Sequence, residues 1–468
     1  MDQDNTSRIA AALRTWIDTA PPGSRLPSNR SLVAEFGASP VTVQKAMRQL
    51  MSLGLIESRP GVGTFVRAQR TLRGVDYGWQ TAALGAPQSR GSALSATQRT
   101  TAPDAIGLHS GYPARELLPE RLVRAALTRA ARTDSALTRS PASGLPELQA
   151  WFAGELAAST PAGVAPVSAR DALIISGTQS GLSSLFRSLV GPGRPLLIES
   201  PTYWGAILAA EQAGVVLVPV PTGPGGPDPD DVDRAFDVTG ARAFYAQPTF
   251  ANPTGGQWAA DTGAVILDTV RRRGAFLIED DWAHDLAIDA EPRPIAVHDS
   301  DGHVIYLRSL TKSVSPALRV GAVIARGPAR ERVLTSLAAE SMYVSGLLQS
   351  AALDVVTQPG WQTHRRGFRQ QLRDRRDLLL DSLREFAPSV TVETVPVGGL
   401  NLWVRLPEGS SVDGVVRECE HRGLIVAPGS EWFPAEASGP YVRLNFSGEN
   451  PERFPDAATI LESSLADG

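Results

Sequence analysis

Seven short aliphatic runs, separated for the most part by stretches with helical spacing, recur between residues 106 and 468 and constrain the fold most strongly. Neighbouring parallel strands need a crossover of a dozen or more residues, and that crossover is usually a helix. The alternation therefore predicts an α/β domain built on a largely parallel sheet. The predicted strands are residues 173–175, 196–198, 215–218, 243–245, 276–278, 304–306 and 322–324.

Polar motifs follow five of these strands. Ligands of open α/β sheets bind outside the carboxyl ends of the strands, which meet at one edge of the sheet. We therefore expect the motifs to form one composite site. They are residues 176–179, 199–203, 252–255, 279–281 and 308–312. After about residue 356, a long arginine-rich helix precedes three further strand-like runs, which predicts a small α/β subdomain covering this site. These runs are residues 390–395, 400–406 and 441–446.

Lysine is almost absent from the chain. Of its 45 basic residues only Lys45 and Lys312 are lysines. Arginine cannot replace lysine where an amine must form a Schiff base, because the guanidinium group stays protonated and delocalised. We predict that Lys312, within the last polar motif, is a covalent anchor for an aldehyde cofactor. Codon bias that spared two lysines by chance would explain the arginines, but not the position of Lys312.

The other polar side chains at the strand ends match what pyridoxal phosphate requires of a protein. Asp280, at the end of a buried strand, can keep the ring nitrogen protonated so that the ring acts as an electron sink. Tyr203 can stack on the ring, and Asn252 can donate to the ring oxygen. Arg443 can hold a substrate carboxylate through a bidentate pair. The sequence thus predicts a pyridoxal phosphate site.

A phosphate cradle is predicted at the first strand-to-helix turn. Gly177, Thr178 and Gln179 can offer backbone N–H groups and a helix N-terminus to the phosphate. Ser309 and Arg319 can complete the cradle. Each of these motifs is common by itself, and the prediction depends on their occurring together and in order.

The first 70 residues follow another plan, with three predicted helices and a hairpin. Ser28 and Ser39 are candidate N-caps of the second and third helices, and Gly54 stops the third. Strand-like runs at residues 55–58 and 63–66 flank a tight turn. This order predicts a helix-turn-helix with a β wing over residues 1–70.

Charge is distributed unevenly along the chain. Residues 1–70 carry nine basic and five acidic residues, a net charge of +4, whereas the whole chain carries −4. A basic module on an acidic body indicates a polyanion partner for the module alone. A protein-interaction domain with solvated charges is the alternative. The candidate DNA-binding residues are Arg30, Ser39, Thr42, Gln44, Lys45, Arg48, Arg59 and Gly61.

Residues 71–105, rich in small and polar side chains, are predicted to be a largely extended or flexible linker to the body at 106–468. A single cysteine, Cys419, excludes a disulfide framework and any multi-cysteine metal site, and we expect no bound metal. We find no long apolar run and no signal peptide in the sequence, so we expect a cytoplasmic location and no membrane partner.

Four motifs follow one another in the N-terminal module. They are Gly23-x-Arg25-Leu26-Pro27-Ser28-x-Arg30-x-Leu32, Gly37-x-Ser39-x-x-Thr42-Val43, Gly54-Leu55-Ile56 and Arg59-Pro60-Gly61-x-Gly63-Thr64-Phe65-Val66. Together they resemble the winged helix of the GntR family. The body carries Asn252-Pro253-x-Gly255, Asp280, Ser309-x-x-Lys312, Arg319 and Arg443 in order, and it resembles the fold-type I aminotransferases. This second resemblance implies a small C-terminal α/β domain and the site roles given above.

A winged helix joined to such a body resembles the MocR subfamily of GntR transcription regulators. The resemblance implies a homodimer in which each DNA-binding module can be exchanged onto the partner's body. It also implies that a small amino compound, or pyridoxal phosphate itself, changes binding to a double-stranded DNA operator.

Three positions depart from the family patterns. Trp282 stands where a tyrosine usually bonds the cofactor ring oxygen, and an indole cannot serve in the same way. Arg139 stands where a tyrosine usually reaches the phosphate of the partner subunit. Pro40 replaces a common arginine of the winged helix. The first two changes put efficient transamination in question more than cofactor binding, and the third implies that a base or phosphate contact usual in the winged-helix family is missing.

Three functions compete on this evidence. The first is a regulator that senses an amino compound or the cofactor through an aminotransferase-like body. The second is a working aminotransferase whose DNA module provides autoregulation. The third is a cofactor-free interaction protein, which the position of Lys312 argues against. A DNA-binding module has no purpose in a plain transaminase, so the regulator is favoured, with residual transamination left open.

Overall fold

The computed structural model describes residues 2–67, 80, 83, 95–102 and 104–467. Contacts within the chain divide it into two units, Met1–Pro87 and Gln88–Gly468. Most of the predicted linker, residues 71–105, lies outside the described residues. Within the described part of the chain, no helix has the length and apolar character needed to cross a membrane.

The first unit is a winged helix, which confirms the predicted fold. Its elements are α1 (Asp2–Thr19), α2 (Asn29–Phe36), α3 (Pro40–Ser52), β1 (Ile56–Arg59) and β2 (Gly63–Val66). The Ser28 hydroxyl accepts from the Ser31 N–H at 3.1 Å, and the Ser39 hydroxyl accepts from the Thr42 N–H at 3.2 Å. These contacts are the predicted N-caps of α2 and α3. Strands β1 and β2 pair antiparallel as the wing.

Apolar side chains from all three helices and from both strands form the core of the first unit. Because they recur at three- and four-residue intervals along α1 and α3, each of these helices turns one stripe inward. The fully or nearly fully buried members are Ile9, Leu13, Leu32, Val43, Met47, Leu50, Ile56 and Val66. This core leaves the polar faces of α2 and α3 exposed.

An eight-stranded sheet forms the centre of the second unit. The described strands of the second unit up to residue 324 are β3 (Ile106–Gly107), β4 (Ala172–Ile175), β5 (Pro195–Ser200), β6 (Val216–Gly223), β7 (Gly226–Pro227), β8 (Ala243–Ala246), β9 (Phe276–Asp281), β10 (Val304–Ser309) and β11 (Gly321–Ile324). All of these except β3 belong to the large sheet, in the order β4-β11-β10-β9-β8-β5-β6-β7. Strands β5, β6, β8, β9 and β10 are mutually parallel, which confirms the predicted sheet, whereas β11 runs antiparallel to both neighbours.

Both faces of this sheet are buried. Along β5, Leu196 and Ile198 belong to one core, and Leu197 belongs to the core on the opposite face. This alternation explains why the strands read as continuous aliphatic runs, because helices cover both faces. The described helices of the whole second unit, which include those of its C-terminal subdomain, are α4 (Glu120–Ala130), α5 (Pro146–Ala157), α6 (Thr178–Leu185), α7 (Trp204–Gln212), α8 (Pro229–Thr239), α9 (Ala260–Arg273), α10 (Gly327–Ser341), α11 (Gly346–Thr357), α12 (Pro359–Phe386), α13 (Val412–His421) and α14 (Phe454–Asp467).

A smaller antiparallel sheet forms the predicted C-terminal subdomain. Its strands, in spatial order, are β12 (Thr391–Val392), β13 (Asn401–Arg405), β16 (Tyr441–Asn445) and β15 (Ala427–Pro428). The predicted run at 390–395 forms only the two residues of β12, and Glu393, just beyond it, forms an ion pair with Arg405 at 3.0 Å. Strand β3 pairs in parallel with β14 (Leu424–Ile425), so the start of the body belongs to this subdomain.

The end of the predicted linker is ordered against the body. Residues Ala96–Gln98 form a 3-10 turn, and Ser95 and Thr97 are buried. This differs from the prediction of a largely extended or flexible segment. The reason is a long-range contact, because the Glu431 carboxylate accepts from the Ser95 hydroxyl and from the Ala96 N–H. No local pattern in residues 95–98 reveals a partner that lies more than three hundred residues away.

Candidate cofactor site

A pocket lies where β8, β9 and β10 of the second unit end. It brings together predicted residues from separate motifs with residues from the small subdomain and from the ordered end of the linker. Its lining residues are Thr97, Gln98, Gly111, Tyr112, Thr178, Tyr203, Trp204, Gln247, Asn252, Asp280, Trp282, Lys312, Asn401 and Arg443. The composite site predicted from the strand ends is therefore one cavity.

Lys312 follows β10 and carries its amine into this pocket. The amine nitrogen lies 3.1 Å from the centre of the Tyr112 ring. Burial, and then the positive charges of Arg443 and Arg319, lower the pKa of Lys312 well below its ordinary value. A neutral amine is the nucleophile that an aldehyde requires.

Asp280 is fully buried at the end of β9 and presents one oxygen that lacks a partner. Its Oδ2 accepts from the Tyr245 hydroxyl and from the Gln247 amide, both at 2.9 Å. Its Oδ1 is buried without a hydrogen bond to any described residue. Burial, partly offset by these hydrogen bonds, raises the pKa of Asp280 to about 6. The unpaired oxygen in the pocket wall fits an acceptor for the ring N–H of pyridoxal phosphate.

Cofactor affinity is expected to fall as the pH drops below about 6. Below its raised pKa, Asp280 is protonated and no longer offers an ionised acceptor to the ring nitrogen. The isosteric change Asp280→Asn should weaken cofactor binding at neutral pH and remove most of this pH dependence. Titrating both proteins with cofactor across this range, with absorbance as readout, tests the assignment. If cofactor affinity depends equally on pH in the wild type and in Asp280→Asn, the assignment of Asp280 is wrong.

The predicted phosphate cradle is partly assembled. Gly177 precedes α6 with φ +86°, and a Cβ at this position would come within 2.8 Å of the Arg319 guanidinium. Arg319 donates to the Ser176 carbonyl at 3.2 Å. Thr178 lines the pocket itself. Glycine therefore lets this arginine lie against the start of the helix, where an anion is favoured.

Two other members of the predicted cradle already form side-chain hydrogen bonds within the protein, and of their side chains the Ser309 O–H is still able to donate to a phosphate. The Gln179 amide donates to the Gly205 carbonyl at 2.8 Å, and its oxygen accepts from the Tyr203 hydroxyl at 3.1 Å. Only its backbone N–H remains for a phosphate. The Ser309 hydroxyl accepts from the Thr311 N–H at 3.1 Å and so closes the turn that leads to Lys312. Gln179 thereby positions Tyr203, which lines the pocket.

Asn252 has a fixed amide orientation. Its Oδ1 accepts from the Trp432 indole at 3.2 Å and from the Arg443 guanidinium at 3.3 Å. The amide nitrogen is thus the group left to donate to a cofactor ring oxygen. The residue predicted for the ring oxygen and the residue predicted for the substrate carboxylate are therefore in direct contact.

Arg443 is a buried cation on β16. It donates to the carbonyls of His109, at 2.7 Å, and of Ser110, at 3.2 Å, and its guanidinium lies 4.7 Å from the centre of the Trp432 ring. Its Nε is buried with no hydrogen-bond partner among the described residues. Burial lowers the pKa of Arg443 to about 9, against a smaller opposing effect of Glu431, so the group stays charged at neutral pH. A buried guanidinium with an unused N–H suits a carboxylate.

Two departures from the aminotransferase pattern, Trp282 and Arg139, have different surroundings in the structure. Trp282 lines the pocket, but its indole N–H donates to the Phe250 carbonyl at 3.2 Å. It therefore has no donor left for a cofactor oxygen. Arg139 is exposed on the segment between α4 and α5.

Several pocket residues had not been predicted from the sequence. Gln247 could have been found, because it is a polar residue one position after β8. Tyr112 follows β3 in a Gly-Tyr-Pro turn, a weak signal. Asn401 lies within an apolar strand of the small subdomain, and Thr97 and Gln98 lie in the predicted linker. No local signal marks these last three.

The predicted DNA-binding residues of the first unit are exposed, with one exception. Thr42 is buried, and its hydroxyl lies 2.8 Å from that of Ser39, so it stabilises the start of α3 and cannot reach DNA. Arg59 is exposed on the wing but forms an ion pair with Glu57 at 2.6 Å. The remaining exposed candidates are Arg30, Ser39, Gln44, Lys45, Arg48 and Gly61.

A mostly parallel sheet with a lysine-bearing pocket at its strand ends defines the class of fold-type I aminotransferase-like proteins. The chain belongs to the aminotransferase class I and II family, whose model matches residues 103–458. Residues 5–66 match the model of bacterial regulatory proteins of the gntR family. This combination confirms the architecture predicted from the sequence, a GntR-type winged helix joined to an aminotransferase body.

Relatives of both kinds are similar to this chain. The probable rhizopine catabolism regulatory protein MocR of Rhizobium meliloti is 28% identical over 94% of this chain and 89% of its own. The 2-aminoadipate transaminase of Thermus thermophilus is 29% identical over 80% of this chain and 90% of its own. The uncharacterized HTH-type transcriptional regulator YdfD of Bacillus subtilis is 29% identical over 91% of this chain and 89% of its own.

A solved structure supports the same fold. LysN, the α-aminoadipate aminotransferase of Thermus thermophilus complexed with N-(5'-phosphopyridoxyl)-L-leucine, superposes with a TM-score of 0.72 and 27% identity. The match covers 79% of this chain and 95% of that one. The family and the ligand of this relative imply dependence on pyridoxal phosphate.

Proposed function

We propose that this protein is a pyridoxal phosphate-dependent transcription regulator that binds a double-stranded DNA operator as a homodimer and responds to a small amino compound. Lys312, Asp280 and the turn at Gly177 would hold the cofactor, and Arg443 would hold the carboxylate of the amino compound. When bound, the cofactor supplies an aldehyde that captures amines and a ring that withdraws electrons. The MocR relative has the same two-part architecture and is named as a regulatory protein.

The observation that carries this proposal is the position of the connecting segment. Thr97 and Gln98 line the pocket, and the same segment continues along the chain towards the winged helix. A ligand in the pocket would therefore touch the connection to the DNA-binding unit itself. In a plain enzyme nothing requires the pocket wall to come from that connection.

Glu431 is the residue that would transmit the change. Its carboxylate accepts from the Ser95 hydroxyl and from the Ala96 N–H, at 3.0 Å for the latter. The next residue, Trp432, packs under the Arg443 guanidinium and donates to Asn252. A movement of Arg443 on binding a carboxylate would thus reach the connecting segment through a single short turn.

Operator binding in three states tests the proposed function. The protein would be measured without cofactor, with cofactor, and with cofactor plus candidate amino acids, on duplex DNA from upstream of its own gene. A coupling of about 1–3 kcal/mol, or roughly a five- to hundredfold change in operator affinity, is expected. Equal affinity in all three states would reject the sensor and favour the enzyme.

Glu431→Gln should uncouple the binding of the amino compound from the binding of the operator without abolishing either. The neutral amide loses the charge-assisted hydrogen bonds that hold the connecting segment, which are worth about 1.5–3 kcal/mol. We expect the effect of the amino compound on operator affinity to fall to about threefold or less. Glu436→Gln, the same change at a nearby exposed position, is the matched control. If both variants couple like the wild type, the turn is not the route.

Lys45→Ala should weaken operator binding and reduce its salt dependence by roughly one counterion. Lys45 is exposed on α3, the helix that would enter the major groove. Lys45→Arg keeps the charge and should keep the salt slope. Filter binding or fluorescence anisotropy at several salt concentrations measures both slopes. Wild-type affinity and slope in Lys45→Ala would remove this residue from the interface.

A second candidate function is a working aminotransferase that regulates its own gene. It is favoured by the lowered pKa of Lys312 in the same pocket as the buried Asp280, a combination that suits chemistry as well as sensing. Against it, the Trp282 indole N–H is already used by a backbone carbonyl. Steady-state turnover with a panel of amino acids and keto acids separates the two functions.

A further inference from the structure

We infer that Asn401 reads the side chain of the amino compound, and that the compound is an amino acid with an uncharged, hydrogen-bonding side chain. The inference rests on the proposed function, in which the pocket binds an amino acid beside Arg443. It adds the chemical class of the ligand and the residue that selects it.

The side-chain amide of Asn401 is buried, and its oxygen lacks a hydrogen-bond partner among the described residues. It lies on β13 in the pocket wall and is only 3% exposed. Its Oδ1 is buried and has no hydrogen-bond partner among the described residues. Buried side-chain amides nearly always have partners, because leaving such a group unpaired is costly. The pocket is the space from which a partner can come.

The register of the small sheet places Asn401 next to the carboxylate-binding group. In the antiparallel pair of β13 and β16, Asn401 is opposite Asn445 and Trp403 is opposite Arg443. Asn401 and Arg443 are therefore diagonal neighbours on one face of the sheet, about 7–8 Å apart by their backbones. That separation suits an amino acid whose carboxylate lies on Arg443 and whose side chain ends near Asn401.

The pocket residues of this chain offer no counterion for a second ionised group on the ligand. Its charged lining residues are Lys312, Asp280 and Arg443, and the cofactor and the carboxylate would use all three. The rest of the wall is aromatic or polar and uncharged, so a charged side chain would be buried without a counterion. An aliphatic side chain would leave the Asn401 amide unpaired. A hydroxyl or an amide satisfies both conditions.

Isosteric pairs of amino acids test this inference. Threonine against valine, and asparagine against leucine, differ in hydrogen bonding and little in shape. Aspartate tests whether the pocket accepts a ligand with an ionised side chain. Isothermal titration calorimetry would give the affinity of each for the cofactor-loaded wild type and for Asn401→Leu. In at least one pair the wild type should prefer the polar member by about five- to hundredfold. Asn401→Leu should remove or reverse that preference.

Three outcomes would overturn the inference: tightest binding of aspartate, no wild-type preference for the polar member of either pair, or an unchanged preference in Asn401→Leu. The wild-type measurements need no variant, so a folding defect in Asn401→Leu does not leave the question open. Melting temperature and cofactor absorption show whether the variant is intact. The proposed function fails on a different result, when no amino acid changes operator affinity, and the preference of the pocket can hold even then.

Discussion

Lys312→Ala protein should lack the absorption of a bound aldehyde cofactor, and borohydride should leave no cofactor adduct on it. The reason is chemical: a side chain must supply a neutral primary amine inside the pocket, and Lys312 is the only lysine there. Burial and two neighbouring arginines lower the pKa of its amine well below the ordinary value, which favours the neutral form. Lys312→Arg should fail equally, because guanidinium keeps the charge but cannot form the bond. The expected effect is complete loss rather than a fractional change.

The chain supplies its own control for this experiment. Lys45 is the only other lysine, and it lies in the first unit. Lys45→Ala should keep the full cofactor absorption and the reducible adduct. Peptide mapping by mass spectrometry after borohydride treatment locates the adduct. An adduct at Lys45, or at the chain terminus, in the Lys312→Ala protein would refute the assignment.

Arg443→Met should weaken binding of amino acids by at least about thirtyfold. Truncating one partner of a buried, hydrogen-bonded charge pair costs about 2–5 kcal/mol, and about 1.4 kcal/mol corresponds to a factor of ten. Arg443 is 1% exposed, so water cannot replace the lost contact. Arg443→Lys keeps a charge without the planar fork and should give an intermediate loss. Calorimetric titration of cofactor-loaded protein with alanine measures the change.

The matched ligand for this test is ethylamine, which is alanine without its carboxylate. Its affinity should be nearly the same in the wild type and in Arg443→Met. Arg443 also donates to the carbonyls of His109 and Ser110, so the cofactor absorption of the variant must be checked first. If alanine and ethylamine lose affinity equally, Arg443 stabilises the pocket and does not bind the carboxylate.

Much of the architecture was predictable because it depends on neighbours in sequence. The aliphatic run at residues 196–198 has to be a strand that is buried on both faces, and it lies within β5. The caps at Ser28 and Ser39 use N–H groups three residues away. The lysine and aspartate motifs follow strands, so the topology of a parallel sheet brings them to one edge.

Long-range contacts decided what could not be predicted. Thr42 is a polar residue of α3, as the exposed Gln44 and Lys45 are, but the packing of α3 turns its side chain inward. The composition of residues 95–98 predicts a linker, and only the structure shows that Glu431 binds this segment. Trp282 lines the pocket as its position predicts, yet the carbonyl of Phe250 takes its donor.

The sequence by itself determined the class of most elements, the single lysine of the second unit as the candidate anchor, and the contrast between a basic N-terminal module and an acidic body. These properties follow from local periodicity, from side-chain chemistry and from charge counts. Only the tertiary structure decided which oxygen of Asp280 is left free, that Asn401 lies unpaired in the same pocket, and that the connecting segment forms part of its wall. Such features arise from contacts between residues far apart in the chain, and many distant pairings are compatible with one local pattern.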